Sequence, residues 1–177
     1  IDIDDVVGQY RITDILGVGG MATVYRGVHR SGLGIVAAIK VLHPHYARRA
    51  DVVERLRVEA RALARLQHPN IVQIFDFIEN DGYCAIVAEL VEGRSLREIL
   101  KEDPSRPLPP LEALELFVQS VHGMEHAHAK ACLHRDLKPD NLMVTPDRRL
   151  KILDFGIASL VDMDRMTTTG RAFGTPA

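Results

Sequence analysis

Eight consecutive residues, His134-Arg135-Asp136-Leu137-Lys138-Pro139-Asp140-Asn141, bring together an imidazole, a guanidinium, two carboxylates, an ammonium and an amide. Asp154-Phe155-Gly156 follows at the end of a short apolar run. The first stretch is too polar for a core and too compact for an ordinary solvated loop. Asp136 can accept a proton. Asn141 and Asp154 offer oxygen donors of the kind that suits a divalent ion retaining several waters. A proton acceptor beside a metal site is the equipment for moving a phosphoryl group from a nucleotide to a hydroxyl.

Three other features bear on that chemistry. Gly17-Val18-Gly19-Gly20-Met21-Ala22-Thr23-Val24 lies between two strand-like runs. Its glycines let backbone N–H groups approach phosphate oxygens, although a glycine-rich hairpin turn is the bland alternative. A dinucleotide-binding reading fails, because a strand rather than a helix follows. Lys40 closes the otherwise apolar Ala38-Ile39-Lys40. It is either an edge lysine reaching for water or an ammonium held against phosphates. Glu59 borders the apolar face of the next helix and is the expected partner that orients Lys40.

The elements that must position these groups follow from periodicity. Strands are expected over 10–16, 23–29 and 35–42, forming an antiparallel meander. Asp51 and Glu54 predict a capping box opening a helix. Val53, Leu56, Ala60, Leu63 and Leu66 form its buried face, and His68-Pro69-Asn70 ends it. Strands over 71–78 and 83–91 are joined by Asn80-Asp81-Gly82, a strong hairpin signal. The first half is thus five strands and one helix. Glu92-Gly93-Arg94 has the composition of a hinge. Ser95 and Glu98 predict a second capping box, for a helix ending near Glu102. A Pro-rich loop, 103–109, precedes a long helix over 110–129, with Leu111, Leu114, Phe117, Val118, Val121 and Met124 on one side. Short strands follow over 142–144 and 150–153, and 162–172 is expected to be a Thr-rich loop.

Composition sets the limits. The 177 residues suit one domain or slightly more, with 46% apolar and 26% charged residues. A net charge of −2 and the lack of a basic stripe argue against nucleic acid as a partner. No apolar run is long enough to span a bilayer, and no signal peptide is present. Cys84 and Cys132, far apart, read as reduced thiols of a cytoplasmic protein, a single remote disulfide being the alternative. The chain begins at Ile1 and stops at Ala177, and both ends read as cuts in a longer protein.

Taken together, the glycine loop, Lys40, Glu59, the 134–141 stretch and Asp154-Phe155-Gly156 occur in the order found in protein kinases, which this chain resembles over nearly its whole length. Gly-Gly-Met-Ala-Thr-Val-Tyr in the first loop is similar to the serine/threonine kinases of bacteria, although Ala22 replaces the third glycine. The resemblance implies an α+β, two-lobed kinase-like fold: a five-stranded antiparallel lobe over 1–91, and part of a mainly helical lobe over 92–177. It implies ATP and Mg2+ as cofactors, and serine or threonine hydroxyls of proteins as acceptors, Lys138 favouring these over tyrosine. Asp136, Lys138, Lys40 and Glu59 would serve catalysis. Asn141 and Asp154 would hold metal. The nucleotide would touch Leu16, Gly17, Val18, Gly19, Gly20, Met21, Ala22, Thr23 and the hinge residues Glu89 and Val91, with Val24, Ala38 and Met143 around adenine. Ala88 would be an unusually small residue behind the ring. Leu63, Ile74, His134 and Phe155 would stack as an apolar spine.

The resemblance also implies regulation. Arg135 marks a kinase switched on by phosphorylation of Thr167 or Thr169, in trans within a homodimer. A membrane anchor, if the parent has one, would lie outside this chain. Because later helices of the family are absent, the isolated stretch is expected to expose apolar surface on its long helix, to bind nucleotide weakly and to transfer phosphate poorly. The rival readings are a nucleotide-binding pseudokinase or scaffold, and a small-molecule phosphotransferase of similar fold.

Overall fold

The computed structural model describes residues 1–80, 82–102 and 107–155. The expected loop over 162–172, with Thr167 and Thr169, lies outside the described residues, as does Gly156. The first half contains β1 (Val6–Val7), β2 (Tyr10–Val18), β3 (Ala22–His29), β4 (Val36–Leu42), α1 (Pro44–Ala47), α2 (Ala50–Leu63), β5 (Ile74–Asn80) and β6 (Tyr83–Glu89). Among the described residues its sheet has six strands, not the five expected, in the order β1-β2-β3-β4-β6-β5, every pairing antiparallel. The extra strand is only two residues long, too short to carry a period, yet Val7 is fully buried. The short helix α1 was likewise not expected; Pro44 at its first turn starts it.

One face of the sheet buries Val7, Ile12, Ile39 and Val87. The other packs Ala22, Leu42, Cys84 and Ile86 against Val53, Leu56 and Ala60 of α2. The predicted face of that helix is therefore buried, but its predicted ends are not observed. Arg49 occupies the N-cap without a side-chain cap bond. Asp51 instead accepts from Arg49 (2.8 Å), and Glu54 accepts from Arg57 (2.7 Å). With six arginines from 48 to 65, both carboxylates pair with guanidinium groups, and the predicted capping-box bonds do not form among the described residues. The helix stops at Leu63, before His68-Pro69. Residues 71–73 precede β5, and Ile71 bridges to Ile152 in parallel.

The second half contains β7 (Arg94–Ser95), α3 (Leu96–Glu102), α4 (Pro110–Ala129), a 3₁₀ turn (Pro139–Asn141), β8 (Leu142–Val144) and β9 (Leu150–Ile152). The Ser95–Glu98 box forms as expected: Ser95 N–H donates to Glu98 Oε2 (2.7 Å) and Glu98 N–H donates to Ser95 Oγ (3.2 Å). A core of Leu63, Leu66, Ile71, Leu116, Leu142, Ile152 and Phe155 joins the halves. The buried positions of α4 are Leu116, Gly123 and Ala127. Leu111, Leu114, Phe117, Val118 and Val121 are exposed, Leu111 at 69% and Phe117 at 64%. This is the uncovered apolar surface expected of the long helix. No helix among the described residues is long and apolar enough to cross a membrane.

Candidate active site

Strand β4 alternates Ala37, Ile39 and Val41 into the core. Period two therefore turns Ala38 and Lys40 to the opposite face. There they line a cavity of about 130 Å³ with Val24, Ala88, Glu89 and Asp154. Ile152, Leu153 and Phe155 close its floor. Ala38 pairs with Ala88, so two methyl groups flank this part of the sheet. Lys40 Nζ donates to Asp154 Oδ1 at 2.7 Å, bridging the two halves of the chain.

Glu59 is not on Lys40. Among the described residues no ion pair joins the two, and Glu59 Oε2 is buried without a hydrogen-bond partner. Burial raises its pKa, while Arg135 and Lys40 nearby act in the opposite direction. The expected Lys40–Glu59 pair is thus replaced by Lys40–Asp154. Burial of the carboxylate matches its expected place bordering the apolar face, but sequence spacing could not decide which carboxylate would capture the ammonium.

The polar stretch folds back on itself around Asp136. Lys138 Nζ donates to Asp136 Oδ2 at 2.7 Å. Asn141 Nδ2 donates to the Asp136 carbonyl (2.8 Å) and to Oδ2 (3.2 Å). The Lys138 hydrogen bond, more than any other contact, holds the Asp136 carboxyl below its ordinary range and the Lys138 ammonium above its own. Leu153 N–H donates to the Asn141 carbonyl at 2.8 Å, tying the loop to the residue before Asp154. His134 is buried. Its Nε2 meets the Leu153 carbonyl at 2.8 Å, and its Nδ1 accepts from Asp136 N–H at 3.3 Å. These bonds assign the proton to Nε2. The His134 ring packs on Phe155, centroids 4.6 Å apart. Leu63 shares that core and Ile74 packs against it.

Arg135 (φ 62°) and Asp154 (φ 50°) both occupy the left-handed region, which costs a non-glycine residue about 1–3 kcal/mol. Such strain is tolerated where surrounding bonds over-determine the backbone, and it aims Asp154 at Lys40. With Asn141 Nδ2 committed to Asp136, its side-chain oxygen can act as an acceptor, and among the described residues Asp154 Oδ2 has no ion-pair partner beside the Lys40 contact at Oδ1. An amide oxygen and a carboxylate oxygen fit a magnesium ion that keeps its waters.

Other predicted positions fall less centrally. Val18 and Leu16 are exposed in the β2–β3 hairpin, where Val18 pairs with Thr23 and Gly17 with Val24. Among the described residues, a side chain on Gly17 or Gly20 would meet nothing within 4 Å, so no packing among them requires glycine there. Ala22 points into the core, against Leu42 and Val53, which explains a methyl group at the third glycine position. Met21 packs partly on the same core, and Thr23 Oγ1 contacts His43 Nε2 at 3.2 Å. Val91 and Met143 do not line the cavity; Met143 pairs with Ser95 and Lys151. Sequence reasoning missed the Lys151 ion pair to both oxygens of Glu89 (2.7 and 2.8 Å), which ties the edge of the cavity to β9. The lone lysine in the apolar run before Asp154 was the available signal.

The comparisons agree with this geometry. The sequence model of the family described as "Protein kinase domain" matches residues 10–176. The serine/threonine-protein kinase pkn2 of Myxococcus xanthus is 41% identical over 175 residues, covering 96% of this chain and 21% of that protein. PrkC of Bacillus subtilis is 38% identical, over 96% of this chain and 26% of its own length. PknA of Mycobacterium tuberculosis is 38% identical, over 95% and 39%. The crystal structure of the M. tuberculosis PknI kinase domain superimposes with a TM-score of 0.79 at 32% identity, covering 90% of this chain and 62% of that one. The chain thus spans well under half the length of these curated relatives. With its motifs, its sheet and its cleft in agreement, the chain belongs to the protein kinase family and is similar throughout to bacterial serine/threonine kinases.

Proposed function

We propose that the protein transfers the terminal phosphoryl group of ATP, with Mg2+, to serine and threonine hydroxyls of proteins. The observation that carries this reading is convergence: Lys40 on Asp154 at 2.7 Å, and Asn141 on Asp136 at 3.2 Å, within one connected network. Asp136 would accept a hydrogen bond from the acceptor hydroxyl and orient it. Its depressed pKa suits positioning more than strong basicity. Lys138, beside it, would offset charge on the transferring group. Lys40 and the N–H groups of Gly17, Val18, Gly19, Gly20, Met21, Ala22 and Thr23 would hold phosphates. Asn141 and Asp154 would hold the metal, which when bound neutralises phosphate charge. Adenine would lie against Val24, Ala38 and Ala88, with the Glu89 carbonyl at the hinge; Leu16, Val91 and Met143 would reach it only after closure of the cleft.

In this reading the boundary between lobes lies at residues 91–92. Autophosphorylation of Thr167 or Thr169 within a homodimer, with Arg135 receiving the phosphate, would regulate the cytoplasmic activity. The test is transfer of labelled γ-phosphate from ATP·Mg2+ by the whole protein to a protein acceptor, followed by phospho-amino-acid analysis. Label on serine or threonine, abolished by Asp136→Asn and Asp154→Asn, is the expected result. Nucleotide binding without transfer would establish a pseudokinase instead, and transfer only to metabolites a small-molecule phosphotransferase.

A further inference from the structure

Residues 64–73 are clamped to the second half of the chain. Asn70 Nδ2 donates to the Leu150 carbonyl (2.8 Å) and to Gln119 Oε1 (3.1 Å), and Gln119 Oε1 also accepts from Leu150 N–H (2.8 Å). The Asn70 carbonyl accepts from Ile152 N–H (2.8 Å). Gly123 makes room, since a Cβ there would lie 2.8 Å from Ile152 Cδ1 and 3.3 Å from the Asn70 carbonyl. The strand leading to Asp154 is therefore registered against this segment and against α4.

Beside the clamp is a histidine cluster that phosphoryl transfer does not use. The His68 ring packs on His126 with centroids 5.2 Å apart and planes 34° from parallel. His68 Nδ1 accepts the Asn70 N–H (3.1 Å), which leaves the neutral ring's proton on Nε2. His126 Nε2 is buried without a hydrogen-bond partner among the described residues. The groups facing His68 are His126 and His122, one turn apart on α4, and Lys151 of β9, whose ammonium is held by Glu89. Each is a cation or becomes one in acid. Burial first, and then these three neighbours, hold the His68 imidazole below its ordinary range.

We propose that His68, His122 and His126 form an acid-sensitive joint, which loosens the clamp between 64–73, α4 and β9 when the rings take up protons. Charging His68 puts a proton on Nδ1, the atom that accepts the Asn70 N–H, so that bond is lost. The new charge also faces two imidazoles and the Lys151 ammonium across a partly exposed site, where solvent and salt reduce the repulsion without removing it. The sign follows from linkage. A histidine with a depressed folded-state pKa contributes stability that is present above its unfolded value of about 6.5. That stability is lost as pH falls through the folded pKa.

The test uses the whole protein, the wild type beside a His122→Gln/His126→Phe variant that keeps a ring against His68. Proton-carbon NMR titration of the histidines and thermal unfolding between pH 7.5 and 5.5 are the readouts. The wild-type His68 is expected to titrate below about 6.5 and to move upward in the variant. The loss of melting temperature on acidification is expected to fall by roughly half. If the double variant does not fold, His122→Gln alone, at an exposed position, should give the same changes at smaller size. A wild-type His68 that titrates at or above the ordinary value overturns the joint. So does acid destabilisation that is equal in wild type and variants.

Discussion

The Lys40 ammonium lies 2.7 Å from Asp154 Oδ1, an ion pair that spans 114 residues of sequence. The carboxylate expected to hold that lysine, Glu59, is half-buried on α2, and its buried Oε2 has no hydrogen-bond partner among the described residues. Lys40 is therefore held by Asp154, the proposed metal ligand, and Glu59 Oε2 bears a burial cost with no hydrogen-bond partner among the described residues. Lys40→Met is expected to reduce phosphate transfer by at least about 100-fold, because the substituted side chain keeps the packing but cannot hold phosphate. A steady-state assay against ATP checks this.

Glu59→Gln should separate stability from activity. Removing the buried charge is expected to leave stability unchanged or raise it by up to about 1 kcal/mol, while activity falls. The sign with pH is definite. The folded-state pKa of Glu59 is raised, so its contribution is complete below the unfolded value of about 4.5 and is lost as pH rises through the folded value. Melting curves of the two proteins should coincide in acid and diverge toward neutrality, with the variant the more stable. Greater loss of stability at pH 7 than at pH 4.5 would contradict this account.

Ala88 faces the cavity opposite Ala38 and beside Ile74. Nucleotides with a bulky N6 group are expected to be accepted by the wild type and rejected by Ala88→Met. The expected change in relative kcat/KM is at least roughly 10- to 200-fold, the range a single methylene group commands in an apolar pocket. Equal use of the analogue by both proteins would sink the assignment of this cavity.

Gly93 approaches β8 closely. A Cβ would stand 2.4 Å from the Val144 carbonyl oxygen and 2.9 Å from its carbon, both backbone atoms that cannot rotate away. Gly93→Ala should push the hinge off β8, lowering the melting temperature by several degrees and weakening nucleotide binding. Calorimetric titration with ATP·Mg2+ provides the second readout.

The double substitution Thr167→Ala/Thr169→Ala, and separately Arg135→Gln, should each lower activity without lowering the melting temperature. Mass spectrometry of the protein after incubation with ATP should locate phosphate at one of these threonines. Full activity in the double variant would remove the loop from regulation.

Much of this chain is legible locally. Period two in β4 exposes Lys40 on the cleft face, period 3.6 buries Val53, Leu56, Ala60 and Leu63, and the Ser95–Glu98 box forms where its spacing says. The dense run from His134 to Asn141 marks a candidate site in the sequence because it is too polar to be core. Local rules failed where a stronger partner lay elsewhere in the chain. Asp51 and Glu54 have the spacing of a cap, yet nearby arginines took both.

Side-chain type and spacing were enough to specify five of the six strands of the main sheet, the main helices and the roster of candidate groups, because hydrophobic period and turn chemistry act over a few residues. Tertiary structure alone decided which carboxylate holds Lys40, which glycines are held by packing, and that His68 meets His126. Those outcomes depend on competition among groups far apart in sequence. Such competition is settled by burial and distance, and neither quantity exists until the chain has folded.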